Sequence, residues 1–245
     1  MIYQSILSSE GWDAGWSLIM ELAAKGELMS SGGGSFIGEL AAGQRGAALS
    51  IDFFAKSARM GGEPVGFRYA ASTLLSPAYV AQLARAPHPQ AAQQFIEFVL
   101  SDAGQTLLLA PDVARLPVRP SAYPQDAEFN PFAAGVSVPA FDLSEAESRL
   151  GLLAAVFDSH VGERQPQLKQ TLAHIDAMLP TAQGEALTRL QQARDLLLSP
   201  ALDAAAAEAL VAEIKAGTLD VADLPRAQWS AQLAQREQEI ARLLE

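Results

Sequence analysis

Residues 87–120 read PHPQAAQQFIEFVLSDAGQTLLLAPDVARLPVRP. Pro87 and Pro89 suit a first helical turn, where a missing N–H leaves no bond unmade. Ala92, Phe95, Ile96, Val99 and Leu100 recur at three- and four-residue steps, which puts them on one apolar helix face. Ser101 and Asp102 break that helix and can cap the next, because their side-chain oxygens accept orphan backbone N–H groups. Leu107 to Leu109 make the second helix apolar, and Pro111, Pro117 and Pro120 force an extended exit. The residues alone therefore predict a helix, a capped short helix and an extended arm.

The order P-x-P-x-A-A-x-x-F-I-x-F-V-L-S-x-x-G-Q, followed by L-P-V-R-P, resembles the bacterial extracellular solute-binding proteins of ABC importers. Within them it is similar to the ferric-ion, phosphonate and phosphoglycerate binding group. The phrase G-W-D-A-G-W at 11–16 resembles that group's G-W-x-x-G-W. The run from Ala42 through Ile51-Asp52 matches its A-G-x-x-G-x-x-x-x-I-D pattern. The resemblance implies an α/β, type II periplasmic-binding-protein-like fold of two lobes, truncated at the N-terminus, with an α-helical C-terminal extension. Such proteins carry much of a first lobe, and a ligand-holding helix N-terminus, before the region resembled here.

Composition sets wider limits. The chain has 245 residues, 49% of them apolar and 18% charged, which describes a globular protein rather than a disordered one. The formal net charge of −11 argues against nucleic acid or an anionic membrane surface as partner, since both require a basic face. It does not argue against a small anion, whose site is local. With no cysteine, redox usage says nothing about compartment. The start, MIYQSILSSEGW, has neither a basic segment nor a long apolar one, so it is no signal peptide. Either the chain begins inside a longer protein or it is not exported; the first is the expectation adopted, with the full-length protein periplasmic.

Along the chain, Trp12 to Ala24 predicts a helix. Leu28 to Ser31 is short enough for a strand. The turn Ser30 to Ser35, with Gly32, Gly33 and Gly34, opens a helix from Phe36 to about Ala42. That turn is either plain or anion-facing through Ser31, Gly34 and Ser35; the G-x-G-x-x-G, G-x-S-x-G and P-loop spacings all fail. Ala47 to Ile51 predicts a buried strand. Asp52 then either bonds a ligand or caps the helix it opens. Phe53 and Phe54 are either core or a ligand platform. The resemblance implies two tyrosines at these positions in iron-binding members, and phenyl rings offer iron no ligand atom. Val65 to Tyr69 predicts a strand on which Arg68 either reaches an anion or faces solvent. Ser72 to Ala84 reads as a long extended run.

From Leu143 the texture turns helical, with Leu150, Leu153, Phe157 and Val161 on one face and helices at about 165–179, 184–198, 203–216 and 226–244. His88, His160 and His174 lie far apart, outside any metal-ligand spacing, and are expected at surfaces or helix ends. Nothing points to a catalytic residue, a metal or a cofactor, so no enzyme is expected.

Expressed as domains, the resemblance implies 1–72 as part of a second α/β lobe and 73–115 as a returning segment of the first. Residues 116–162 would be the crossing strand, wrap and closing helix, and 163–245 the helical extension. The expected function is capture of a small anionic solute, a phosphonate or phosphorylated compound, by lobe closure for an ABC permease. The alternative is a regulatory protein reporting a ligand such as phosphoglycerate to a membrane sensor protein. Ferric-ion binding ranks below both.

Overall fold

The computed structural model describes residues 2–29, 35–69, 73, 75, 77–127, 129–133 and 143–245, with the backbone alone for Ser35 and 143–148. In chain order its α-helices are α1 (Ile2–Glu10), α2 (Trp12–Lys25), α3 (Ser35–Ala41), α4 (Asp52–Met60), α5 (Pro89–Leu100), α6 (Asp102–Leu107), α7 (Leu143–Phe157), α8 (Gln165–Met178), α9 (Gly184–Leu198), α10 (Ala204–Ala216) and α11 (Arg226–Leu243). Contacts divide the chain into two compact units, Met1–Ser30 with Asp142–Glu245, and Ser31–Phe141.

In the first unit, α2 packs on α1, α8 and α9, α9 packs on α11, and α10 packs on α7. Helical spacing supplies the core: Trp16 and Met20 from α2, Leu168, Leu172 and Ile175 from α8, and Leu198 and Leu233 are all essentially inaccessible to solvent. Gly15 permits the α1–α2 crossing, since a Cβ there would lie 2.8 Å from Leu7 Cδ2 and 3.1 Å from Leu7 Cα. Polar ties lock the register. Trp12 Nε1 donates to the Leu202 carbonyl at 2.6 Å, and Arg194 of α9 meets Glu21 of α2 at 2.7 Å. Asp203 caps α10 by accepting from Ala206 N at 2.8 Å, and Gly217 ends it in the left-handed region that favours glycine. On α7 the buried face is Leu152, Leu153, Ala155 and Val156. Leu150, predicted to share it, is 59% exposed, because α7 is covered along a stripe displaced from that position.

In the second unit, residues 87–120 form the predicted helix, capped short helix and arm, stitched at one point. Ser101 Oγ accepts from Gly104 N at 3.1 Å and donates to Phe98 O at 2.7 Å. Gly104 sits so close to the end of α5 that a Cβ would fall 2.1 Å from Phe98 O. Buried Gln105 donates to Val99 O and accepts from Val118 N, both at 2.7 Å, joining α5 to the proline arm. Arg119 Nε donates to Leu100 O, and Tyr123 donates to Pro117 O at 2.8 Å.

The α/β two-lobe expectation is not met: among the described residues there is no β-strand and no sheet, and the chain is mostly helical. Where they fall among the described residues, the segments predicted as strands pair with no neighbour; Ser30, Ser31, Ser72, Leu74 and Ser76 lie outside those residues. Leu49 and Ile51 of the supposed buried strand are 60% and 46% exposed, and Tyr79 and Leu83 of the extended run are each 76% exposed. The reason is physical. A strand exists only through a neighbour that takes its N–H and C=O groups, and an apolar run reports a tendency toward burial without supplying that neighbour. Closure of two sheet-built lobes accordingly has no basis among the described residues. Nor is any helix among them long and apolar enough to cross a membrane.

Candidate functional site

The site is built on α4. Asp52, Lys56 and Arg59 stand at i, i+4 and i+7, so the helix period puts them on one face. Asp52 lies in the first turn, but its carboxylate makes no cap. It accepts from Tyr69 Oη at 2.7 Å and pairs with Lys56 Nζ at 3.1 Å. The first of these ties the extended 65–69 segment to the helix, and neither is the cap that was one of the two roles expected of Asp52. The ring of Tyr69 then stacks on Phe129, centroids 4.1 Å apart, and meets Phe67 edge-on at 5.5 Å. Phe67, Tyr69 and Phe129 therefore form an aromatic wall whose orientation is set by one hydrogen bond.

Cations ride on this wall. Lys56 Nζ lies 5.8 and 5.7 Å from the Phe67 and Tyr69 centroids, and the Arg59 guanidinium 5.5 Å from Phe67. Both are within cation–π range. The third cation arrives from the proline arm. Ala114 adopts φ 50°, the left-handed region a non-glycine residue seldom enters, and it is buried there. The turn it makes is held by Ala114 N to Ala110 O at 2.8 Å and Arg115 N to Leu108 O at 2.8 Å. Arg115 consequently lays its guanidinium 3.5 Å from the Phe53 centroid while Nη1 donates to Val113 O at 2.6 Å. Phe53 itself packs on Phe54 at 4.3 Å.

Lys56, Arg59 and Arg115 line one groove of about 460 Å³, with Tyr123 and apolar side chains completing it. Among the described residues its lining carries three cations and no acidic side chain, and the Asp52 carboxylate adjoins it through Lys56. On a chain of net charge −11 this is a local reversal of sign. The Tyr123 phenol is pushed up to about 12, first by burial and then by the Asp52 charge, so it remains a donor. The groove offers fixed positive charge beside apolar surface. Among the described residues its lining shows no nucleophile beside a base.

Of the residues predicted from sequence, Asp52 and Phe53 adjoin this groove, Phe54 supports Phe53, and the three do not themselves line it. Ser31 and Gly34 lie outside the described residues, as does the side chain of Ser35. Arg68 is exposed and is not among the groove residues. Lys56 and Arg59 were missed although D-x-x-x-K-x-x-R carries a signal, a helical face of charge. Phe67 and Tyr69 alternate on one side of an extended run, a second readable sign. Arg115, Tyr123 and Phe129 reach the groove only through the tertiary fold, which no local spacing discloses.

A second polar centre lies in the helical unit. His160 is fully buried on a π-helical turn (Asp158–Gly162) that follows α7, which is the helix end and not the surface of the two positions expected. Its Nε2 accepts from Ala201 N at 2.8 Å, which leaves the proton on Nδ1 to be donated to Val156 O at 2.9 Å. Burial drops its pKa to about 4; the Val156 carbonyl opposes that shift, and Arg164 and Arg236 add to it. Both ring nitrogens are committed to backbone, so this imidazole holds structure. Among the described residues no group of three His, Asp or Glu side chains converges as a metal site does.

Basic side chains beside apolar walls give this groove the character of a small-anion binding surface. Residues 3–135 match the family described as bacterial extracellular solute-binding protein, more than half of the chain, and the chain belongs to that family. It is similar to the phosphoglycerate transport regulatory protein PgtC of Salmonella typhimurium, 27% identical over 212 residues. The PgtC of Salmonella typhi gives the same identity over the same length. Each alignment covers 85% of this chain and 51% of the relative, so the chain spans about half the length of the curated relatives it matches. No solved structure matches the chain.

Proposed function

We propose that this chain captures a small anionic solute, a phosphorylated or phosphonate compound, as the binding component of an ABC import system in the periplasm. It acts as a binding protein and not as an enzyme. One observation carries the reading: Lys56, Arg59 and Arg115 converge on one groove of an otherwise acidic chain. Each cation is oriented by an aromatic face before any ligand arrives, so little ordering cost falls on binding. Charge-assisted bonds to a phosphoryl oxygen are the strong kind, and a guanidinium suits that geometry.

The test is calorimetric titration of the full chain with phosphoglycerate, the solute in the relatives' printed name. Saturable binding is expected. Arg115→Ala should lose about 1.5–3 kcal/mol, the worth of a hydrogen bond to a charged group, which is about ten- to a hundredfold in affinity. Absence of saturable binding by any phosphate compound would end the reading.

The relatives are described as regulatory, and that favours a second reading in which the bound state is reported to a membrane sensor protein. The full chain as bait distinguishes the two. Ligand-dependent retention of a sensor supports regulation; ligand-dependent retention of a permease supports transport.

A further inference from the structure

Beyond charge, the groove has a shape and a lining that a bare phosphate does not use. Its volume is about 460 Å³, within the span of about 300–1,000 Å³ that takes drug-sized ligands. A water molecule's share of liquid is roughly 30 Å³, so a five-atom oxyanion at the cations would leave most of this space to solvent. The rest of the lining is largely apolar: Met60, Leu109, Leu116, Pro124 and Phe129. Phe129 is held against Tyr69, which is itself tied to Asp52. This wall is therefore placed independently of any ligand, and it borders the face on which Lys56 and Arg59 sit.

We propose that the groove selects an anion carrying an aromatic or similarly planar apolar body, such as an aryl phosphate, over a compact phosphate ester. The proposal rests on the anion-binding reading above and adds the chemistry of the ligand's other end. The phosphoryl group meets Lys56, Arg59 and Arg115, while the body stacks along Phe129 and displaces water from apolar surface. Offset stacking and area burial both reward a ring there. A glycerol body gains neither and keeps its hydroxyls in water.

The experiment is a parallel titration of the full chain with phenyl phosphate, glycerol 2-phosphate and inorganic phosphate under one buffer. Phenyl phosphate is expected to bind at least about tenfold more tightly than glycerol 2-phosphate, the size of effect a stacked, buried ring supplies. Phe129→Ala should erase that advantage, bringing phenyl phosphate to the affinity that the same variant shows for glycerol 2-phosphate. Phe129→Leu, which keeps bulk and loses the ring, serves should the alanine variant lose helical circular dichroism. Equal affinity for the two esters, with Arg115→Ala weakening both, would overturn this inference and leave the anion reading standing. Tighter phenyl phosphate binding that neither Phe129 variant affects would also overturn it, since the ring would then lie elsewhere. Failure of all three ligands to bind would overturn both.

Discussion

Acidification from pH 7 to pH 4 should destabilise the helical unit through His160. The ring is fully buried with Nδ1–H on the Val156 carbonyl and Nε2 facing the Ala201 N–H. A second proton has only Nε2 to go to, where it would meet a donor. The folded-state pKa is about 4 against an ordinary 6.5. Between those values the unfolded chain binds the proton and the folded chain does not, so unfolding takes up protons and stability falls as pH falls. Above about pH 6.5 the contribution is constant. Each pH unit of the gap is worth about 1.4 kcal/mol, which makes the loss about 3 kcal/mol by pH 4, a large part of the ~5–15 kcal/mol that holds a domain. All three tryptophans, Trp12, Trp16 and Trp229, lie in this unit, and two of them flank the imidazole with centroids 6.3 Å away. Urea unfolding followed by their fluorescence at pH 7, 5.5 and 4 therefore reads the effect directly. His160→Gln has no titrating group there and should show a shallower decline by about 3 kcal/mol over the same interval. Parallel profiles for the two proteins would refute the reasoning, because other carboxylates and histidines are common to both.

Other expectations follow from packing. Leu172→Ala removes a side chain that is 1% exposed at the centre of α8 and should cost about 2–5 kcal/mol in urea unfolding, as buried Leu→Ala changes do. A cost below about 1 kcal/mol would mean that α8 is not the core helix described. Gly104→Ala drives a methyl against the Phe98 carbonyl. It should open the α5–α6 junction, seen as faster hydrogen exchange at Val118 N, which Gln105 Oε1 accepts from; unchanged exchange there would count against the stitched junction.

Much of the helical architecture is legible in sequence because helices are local. Proline and Ser101 mark the ends of α5 and α6, and the expected helices at 184–198 and 226–244 fall within a residue of α9 and α11. The strands were misread because Val, Ile and Phe in a run express a preference that only a paired neighbour makes real. The packing of α1 and α2 with the C-terminal helices rests on contacts such as Trp12 to Leu202, 190 residues apart, for which periodicity contains no information. The site shows the same division. Asp52 and Phe53, singled out from sequence, adjoin the groove through Lys56 and Arg115, and the face of Lys56 and Arg59 follows from the helix period. Arg115 comes in on a left-handed turn at Ala114, an alanine where sequence gives no hint of positive φ.

Anion capture is assigned above to the groove of Lys56 and Arg115. Equilibrium dialysis of labelled phosphoglycerate tests it most directly, comparing the wild type with the double variant Lys56→Gln/Arg115→Gln and with Arg68→Gln. Arg68 is an exposed cation one residue from Tyr69 and outside the groove lining, so it controls for general loss of positive charge. The double variant is expected to lose at least about a hundredfold in affinity, from two charge-assisted contacts, while Arg68→Gln binds as the wild type does. Equal loss in both variants, or undiminished binding by the double variant, would contradict it.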